Sequence, residues 1–332
     1  MKVVCCHWLV VSLNFLVMLV LQPLLVFNVK GAERTQPIRI GVLTDSWGPT
    51  PGVVGLRDGL QELGYRENKH FVIGVRFTQG DAAALPEAAR KLVQQGVDIL
   101  FTNNPAPAKA AHAATNRIPI VFYGAGDPIG LGLVKSFARP GGNITGITDL
   151  DLDLDTKRLE IFKELVPTIK RVLFPYDSSQ AFATAQAKNY RDTARHIDVV
   201  LVEKPVRTQE EAAAALANIQ KNETHGIVVP RSLSFNIPGL ALEASSERGI
   251  PAMFFTTWYV ENGGIASYGS NYYESGRMAA RQVDKIIKGV KPADIPVEVN
   301  QKIEFVVNLK VANGMGLKTE PKALARANRI IR

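Results

Sequence analysis

Side chains able to hold a small polar or planar molecule recur at one kind of place in this chain, just past short apolar segments. In the first half these are Ser46 and Trp47, Asn103 and Asn104, and Asp127. In the second half they are Asp177, within Tyr176-Asp177-Ser178-Ser179, and Ser232, within Arg231-Ser232-Leu233, with Tyr268 added near a chain crossing. The chemistry they offer is recognition. Asp127 can receive an ammonium group. Asn103 and Asn104 precede a helix starting near Pro105, whose first N–H groups can hold a carboxylate. Trp47 can stack on a planar solute. Each also has a plainer reading: Asp127-Pro128 is a turn signal, and Trp47 is a turn aromatic able simply to pack. Trp258, Tyr259, Tyr268 and Tyr272 either line a cleft or lock a hinge.

Reactive constellations do not emerge. Gly124-Ala125-Gly126 starts like a dinucleotide fingerprint, but the third glycine is displaced to Gly130 and the motif lies in the fourth strand–turn unit. Asp149, Asp151, Asp153, Asp155 and Glu160 fall at the carboxylate positions of a calcium loop, yet Leu154 stands where the sharp turn needs glycine. A negative start to a helix explains these acids better. The histidines His7, His70, His112, His196 and His225 have no metal-ligand spacing, and no nucleophile elbow or Ser-His-Asp arrangement occurs. The expectation is no catalytic residue, no metal and no cofactor.

The elements that must position these side chains follow from periodicity. Residues 38–43, 71–77, 97–101 and 118–123 read as buried strands. Between them, Val53, Leu56, Leu60 and Leu63 mark a helix stopped by Gly64, and 82–95 and 106–116 are helices. Short apolar strands alternating with helices mean βαβ units and a parallel sheet. The rhythm restarts with helix 156–165 and strands at 170–174, 198–202, 226–229 and 250–255. A tail follows, with strand 265–268, helix 274–288, strand 303–307 and a terminal helix. Ligands of open α/β sheets bind at the carboxyl ends of the strands, which is where the polar residues stand. The expected architecture is α/β, two Rossmann-like lobes with parallel sheets joined by a multi-segment hinge. The N-terminal lobe is 32–148 plus 262–298 and the C-terminal lobe 149–261 plus 299–332. Chain crossings are expected near 143–155, 256–264 and 297–303.

The chain has 332 residues, 46% hydrophobic and 21% charged, enough for two cores. Its net charge of +8 is scattered, with no basic recognition helix, which argues for a solvated surface and against nucleic acid. From Val3 to Phe27 the chain is apolar and uncharged after the basic Lys2, and small residues follow at Gly31-Ala32. Residues 1–31 therefore read as a secretory signal peptide. Both cysteines, Cys5 and Cys6, lie within it, and neither follows the apolar run as a lipid-modified cysteine does.

Gly126-Asp127-Pro128, Gly130-Leu131-Gly132-Leu133-Val134 and Ala138-Arg139-Pro140-Gly141-Gly142-Asn143-Ile144-Thr145-Gly146 resemble the signature of a solute-binding family serving ABC transporters, which includes tryptophan- and tyrosine-binding members. Leu56-Arg57-Asp58-Gly59-Leu60, Lys291-Pro292-Ala293-Asp294-Ile295-Pro296-Val297-Glu298 and Val307-Asn308-Leu309-Lys310 add to the likeness. The resemblance implies the fold of type I periplasmic binding proteins, with a three-segment hinge. It also implies capture of a small solute, an amino acid in some members, outside the cytoplasmic membrane, and an ABC permease in the inner membrane as partner. On this reading the protein is a periplasmic monomer and not an enzyme. A sensor presenting solute to a receptor, or an α/β enzyme using the same cleft, are the rival readings. Asn143 and its glycines read as a structural turn at the lobe boundary.

The leader reading has a direct check. Intact-mass analysis of the periplasmic fraction is expected to show a chain starting at Ala32 or Glu33 and free of cysteine. A membrane-bound product retaining Met1 would overturn it.

Overall fold

The computed structural model describes residues 36–46, 50–149, 151–179, 183–231, 233 and 239–332. The leader, Trp47 and Ser232 lie outside the described residues. The first half runs β1 (Ile38–Thr44), α1 (Pro51–Glu62), β2 (Phe71–Phe77), α2 (Leu85–Gln94), β3 (Ile99–Asn103), α3 (Pro105–Ala114), β4 (Ile120–Tyr123) and β5 (Ile144–Thr148). The second runs α4 (Asp151–Leu165), β6 (Arg171–Asp177), α5 (Ala183–His196), β7 (Val200–Val206), α6 (Gln209–Ala217), β8 (Gly226–Val229), α7 (Leu240–Arg248), β9 (Ala252–Phe254), α8 (Thr257–Glu261) and β10 (Ala266–Ser270). The chain then returns with α9 (Tyr272–Ile287) and β11 (Glu298–Val299). It ends with β12 (Ile303–Asn308), α10 (Leu309–Gly314), α11 (Pro321–Leu324) and β13 (Arg329–Ile331).

Two sheets result. The first is parallel, in the order β11-β5-β4-β3-β1-β2; the second is β13-β12-β10-β9-β8-β6-β7, parallel except where β10 meets β12. The central strands β3, β4 and β5 are buried along their whole length, as expected of parallel strands covered on both faces. That coverage is why their sequences are apolar runs with no alternation.

Three elements depart from the sequence reading. Ile144–Thr148, taken as part of a boundary turn, is the strand β5, with Ile144 opposite Ile120. Its entry is built by the signature stretch. Asn143 Nδ2 donates to the carbonyls of Thr115 and Ile118, at 3.0 and 2.8 Å, and Gly141 supplies a φ of +80°. Leu133 and Val134 are buried in the core with Ala125, so the loop does the covering work of a helix. The second crossing falls between Ser270 and Tyr272, not at 256–264. The buried, small-residue strand β10 pairs with β9 and β12 and so stays in the second sheet. Residues 262–270 therefore go with the C-terminal lobe. The chain also closes on a strand, β13 beside β12, where a terminal helix was expected.

Helices α1 and α9 approach closely because small residues face each other. A Cβ on Gly55 would run into the carbonyl of Tyr273, and one on Gly276 into the carbonyl of Gly52. In the second lobe, the fully buried Arg158 of α4 donates to Asp155 (3.0 Å), to Tyr190 Oη (2.8 Å) and to the carbonyl of Tyr268 (2.8 Å). Gln186 donates to the same Asp155 oxygen. A buried charge must be paired and hydrogen-bonded to be tolerated, and this network ties α4, α5 and β10 together.

The three crossings meet at Asn300. Its N–H donates to the carbonyl of Thr148 at 2.8 Å. Its Nδ2 donates to the carbonyl of Asn271 and to Ser275 Oγ, both at 2.8 Å, and its Oδ1 accepts from the N–H of Lys302. Asn300 is fully buried. Asn300→Ala would strand several of these groups, a loss of about 1–3 kcal/mol per unsatisfied buried group. Urea unfolding is expected to show a lower midpoint. An unchanged midpoint would mean that the crossings are held by other contacts.

Candidate functional site

The carboxyl ends of the first sheet's strands bring Asp45, Asn103, Gly124 and Asp149 to one side, each at or just past the last residue of β1, β3, β4 and β5. From the second lobe, β8 ends at Val229, and two residues later Arg231 crosses into the first. Its Nη1 donates to Asp149 Oδ2 at 2.7 Å and its Nη2 to Asn104 Oδ1 at 3.2 Å. The guanidinium carbon lies 5.8 Å from the centre of the Tyr272 ring, within cation–π reach. Both charges are buried. Gly124 makes the room: it takes a φ of +66°, and a Cβ there would lie 2.9 Å from Arg231 Nη2. Removing one partner of such a buried pair leaves an uncompensated charge, at a cost of about 3–5 kcal/mol.

Asn104 is the pivot of the cluster. It occupies φ 53°, ψ 165° at the start of α3, and its side chain does not cap that helix. Its Nδ2 instead donates to Asp45 Oδ1 at 3.1 Å while its Oδ1 accepts from Arg231. Asn103 Nδ2 also points at Asp45 Oδ1, at 3.4 Å. Asn103 is 5% exposed, and among the described residues its Oδ1 has no hydrogen-bond partner. Burial pushes the Asp45 carboxyl above the usual range, opposed by the two amides and by the charge of Arg231.

An aromatic wall backs the cluster. Tyr123 donates to Thr50 Oγ1 at 2.9 Å, stacks on Phe101 with ring centres 5.2 Å apart, and meets Tyr272 edge-on at 6.0 Å. Burial pushes its phenol up, so it stays neutral. The set offers an anion, a cation, amides and aromatic faces. Such groups can hold a small polar or planar molecule; among the described residues of the set no nucleophile stands beside a base. Among the described residues no group of His, Cys, Asp and Glu could hold a metal ion.

The site residues expected from sequence separate into two groups. Asn103, Asn104 and Ser46 fall beside one another at the strand ends; the Ser46 hydroxyl lies 2.8 Å from Thr44 Oγ1. Asp127 is exposed and accepts from the N–H of Gly130 at 2.9 Å, which is the turn-stabilising geometry. Asp177 is buried, with Oδ1 accepting from the N–H and hydroxyl of Ser179, at 2.9 and 2.6 Å. Tyr268 packs on the second-lobe core, 6.3 Å from the Phe305 ring. Asp45, Asp149 and Arg231 were missed as site residues. Asp45 had a signal, since it directly precedes Ser46 at the end of β1. Asp149 was seen only as part of an acidic run, and Arg231 only as the neighbour of Ser232.

Comparison with known proteins fits this picture. The family described as ABC transporter substrate binding protein matches residues 45–331. The chain is 28% identical over 254 residues to the tyrosine-binding protein of Clostridioides difficile strain R20291, covering 76% of this chain and 73% of that protein. Its structure is similar to that of an ABC domain in complex with L-Trp from Streptococcus pneumoniae, with a TM-score of 0.77 and 27% identity, over 89% of this chain and 100% of the other. A conserved domain protein from Vibrio cholerae is similar at a TM-score of 0.77 and 29% identity, over 90% of this chain and 100% of the other. The match begins at Asp45, the first residue of the cluster, and runs into β13; the chain therefore belongs to the ABC transporter substrate-binding protein family, with the type I periplasmic binding protein fold.

Proposed function

We propose that this protein is the extracytoplasmic solute-binding component of an ABC importer, that its solute is an amino acid held between the two lobes, and that it delivers the solute to a permease in the inner membrane. The observation that carries this reading is Arg231, a side chain of the second lobe buried against Asp149 and Asn104 of the first. Recognition groups from both lobes converge there, so a solute at this place touches both. It is thereby bound best by the closed form and shifts the equilibrium toward it, as differential affinity requires. No covalent step is needed. The relatives whose names include tyrosine and L-Trp support an amino acid. The apolar leader supports export to the periplasm, where the protein works as a monomer.

A thermal-shift series with the common L-amino acids, tryptophan and tyrosine among them, tests the solute. An amino acid at about 100 times its dissociation constant stabilises by about 2.7 kcal/mol. Small-angle scattering is expected to show a smaller radius of gyration with that amino acid, and chromatography to recover it unchanged. Turnover of the bound molecule, or no stabilisation by any amino acid at millimolar concentration, overturns the proposal.

A further inference from the structure

Asp45 and Arg231 carry opposite charges, come from different lobes, and meet on one amide. Asn104 holds the carboxyl of Asp45 through Nδ2 at 3.1 Å and the guanidinium of Arg231 through Oδ1 at 3.2 Å. The two polar atoms of an amide share one carbon, so an anionic and a cationic group are presented side by side at a short, fixed spacing. The ammonium and carboxylate of an α-amino acid also branch from one carbon, with the charges reversed. The two patterns are complementary.

Two further observations point the same way. The backbone of Asn104 sits in a region that residues other than glycine seldom occupy, φ 53° with ψ 165°. Such conformations cost of order 1–3 kcal/mol and cluster at ligand clamps. Asn103, at 5% exposure, leaves a buried carbonyl oxygen without a partner among the described residues, beside Asp45. That atom accepts only, so it suits a ligand N–H. An ammonium has three donors to place, and Asp45 with Asn103 Oδ1 supplies acceptors for it. Arg231 suits the carboxylate as a charge-assisted donor, while Asp149 on Nη1 and Asn104 on Nη2 keep the guanidinium in position from the first lobe.

We propose that Asp45, Asn103, Asn104 and Arg231 form a clamp for the charged head of a free α-amino acid. The ammonium sits against Asp45 and Asn103 Oδ1 and the carboxylate against Arg231, so that a solute lacking either charge is rejected. This rests on the amino-acid reading given above and extends it to the class of molecule admitted: both the α-amino and the α-carboxyl group must be free. The clamp also couples recognition to closure, since the carboxylate partner arrives on the second lobe.

Calorimetric titration tests it. The tightest-binding amino acid is compared with its decarboxylated amine, its α-amide and its des-amino acid. Truncating one partner of a buried charge pair costs enough to weaken binding at least about thirtyfold, and each analogue is expected to lose that much on the wild-type protein. Arg231→Gln is expected to weaken the amino acid and to erase its advantage over the amine and the amide. Asp45→Asn should erase the advantage over the des-amino acid and leave the advantage over the amine. Melting curves without solute establish that both variants fold. Well-folded variants that keep the wild-type order of preference, or a wild-type protein that binds the amine as tightly as the amino acid, overturn the clamp while the proposed function stands. Failure of every amino acid to bind the wild-type protein overturns both.

Discussion

Taking the Arg231 guanidinium out of water is the constraint around which the two lobes are arranged. A charge of that kind is several kilocalories per mole too costly to bury unless its partners are already in place. Here the partners come from four separate stretches: Asp149 past β5, Asn104 at the head of α3, Gly124 past β4, and Tyr272 at the head of α9. Each stands at a strand exit or a chain crossing. The parallel sheet must therefore be in register, and the crossings at their proper lengths, before the charge can be accommodated. Moving the lobes apart would return the guanidinium to water and take from Asp149 its buried partner.

The chain crossings answer to the same demand. Asn300 joins the backbones of all three crossings through its own N–H and its amide. The crossing segments are short, and their polar backbone groups are buried at the junction, so each needs a partner there. A single asparagine supplies several. Arg158 does comparable work within the second lobe, tying the middle of α4 to the middle of β10 and to Tyr190 of α5.

Scaffold and site are divided unevenly along the chain. The stretch that resembles the family most strongly, Ala138–Gly146, makes the entry to β5: Asn143 binds two carbonyls and Gly141 turns the chain. Upstream of that stretch, Asp127 stabilises a turn through Gly130. The strongest motif of this chain falls on residues that shape the backbone. The residues of the candidate site carry no motif, because what they can do depends on which strand ends become neighbours.

The sequence by itself determined the alternation of strand and helix, since buried parallel strands must be apolar runs and their covering helices amphipathic. It also placed polar groups at the carboxyl ends of strands, and Ser46, Asn103 and Asn104 do stand at the ends of β1 and β3. It misjudged Ile144–Thr148, whose mixed Ile-Thr-Gly pattern lacks the length of an apolar run. It also misplaced the second crossing, because β10 has the composition of a strand in either lobe and only pairing with β9 and β12 assigns it. The pairing of Arg231 with Asp149, 82 residues apart in the chain, and the bridging of Asp45 to Arg231 by Asn104 were decided by the tertiary structure alone. Periodicity reports which face of an element is buried, and carries no information about which distant charge a buried charge will meet.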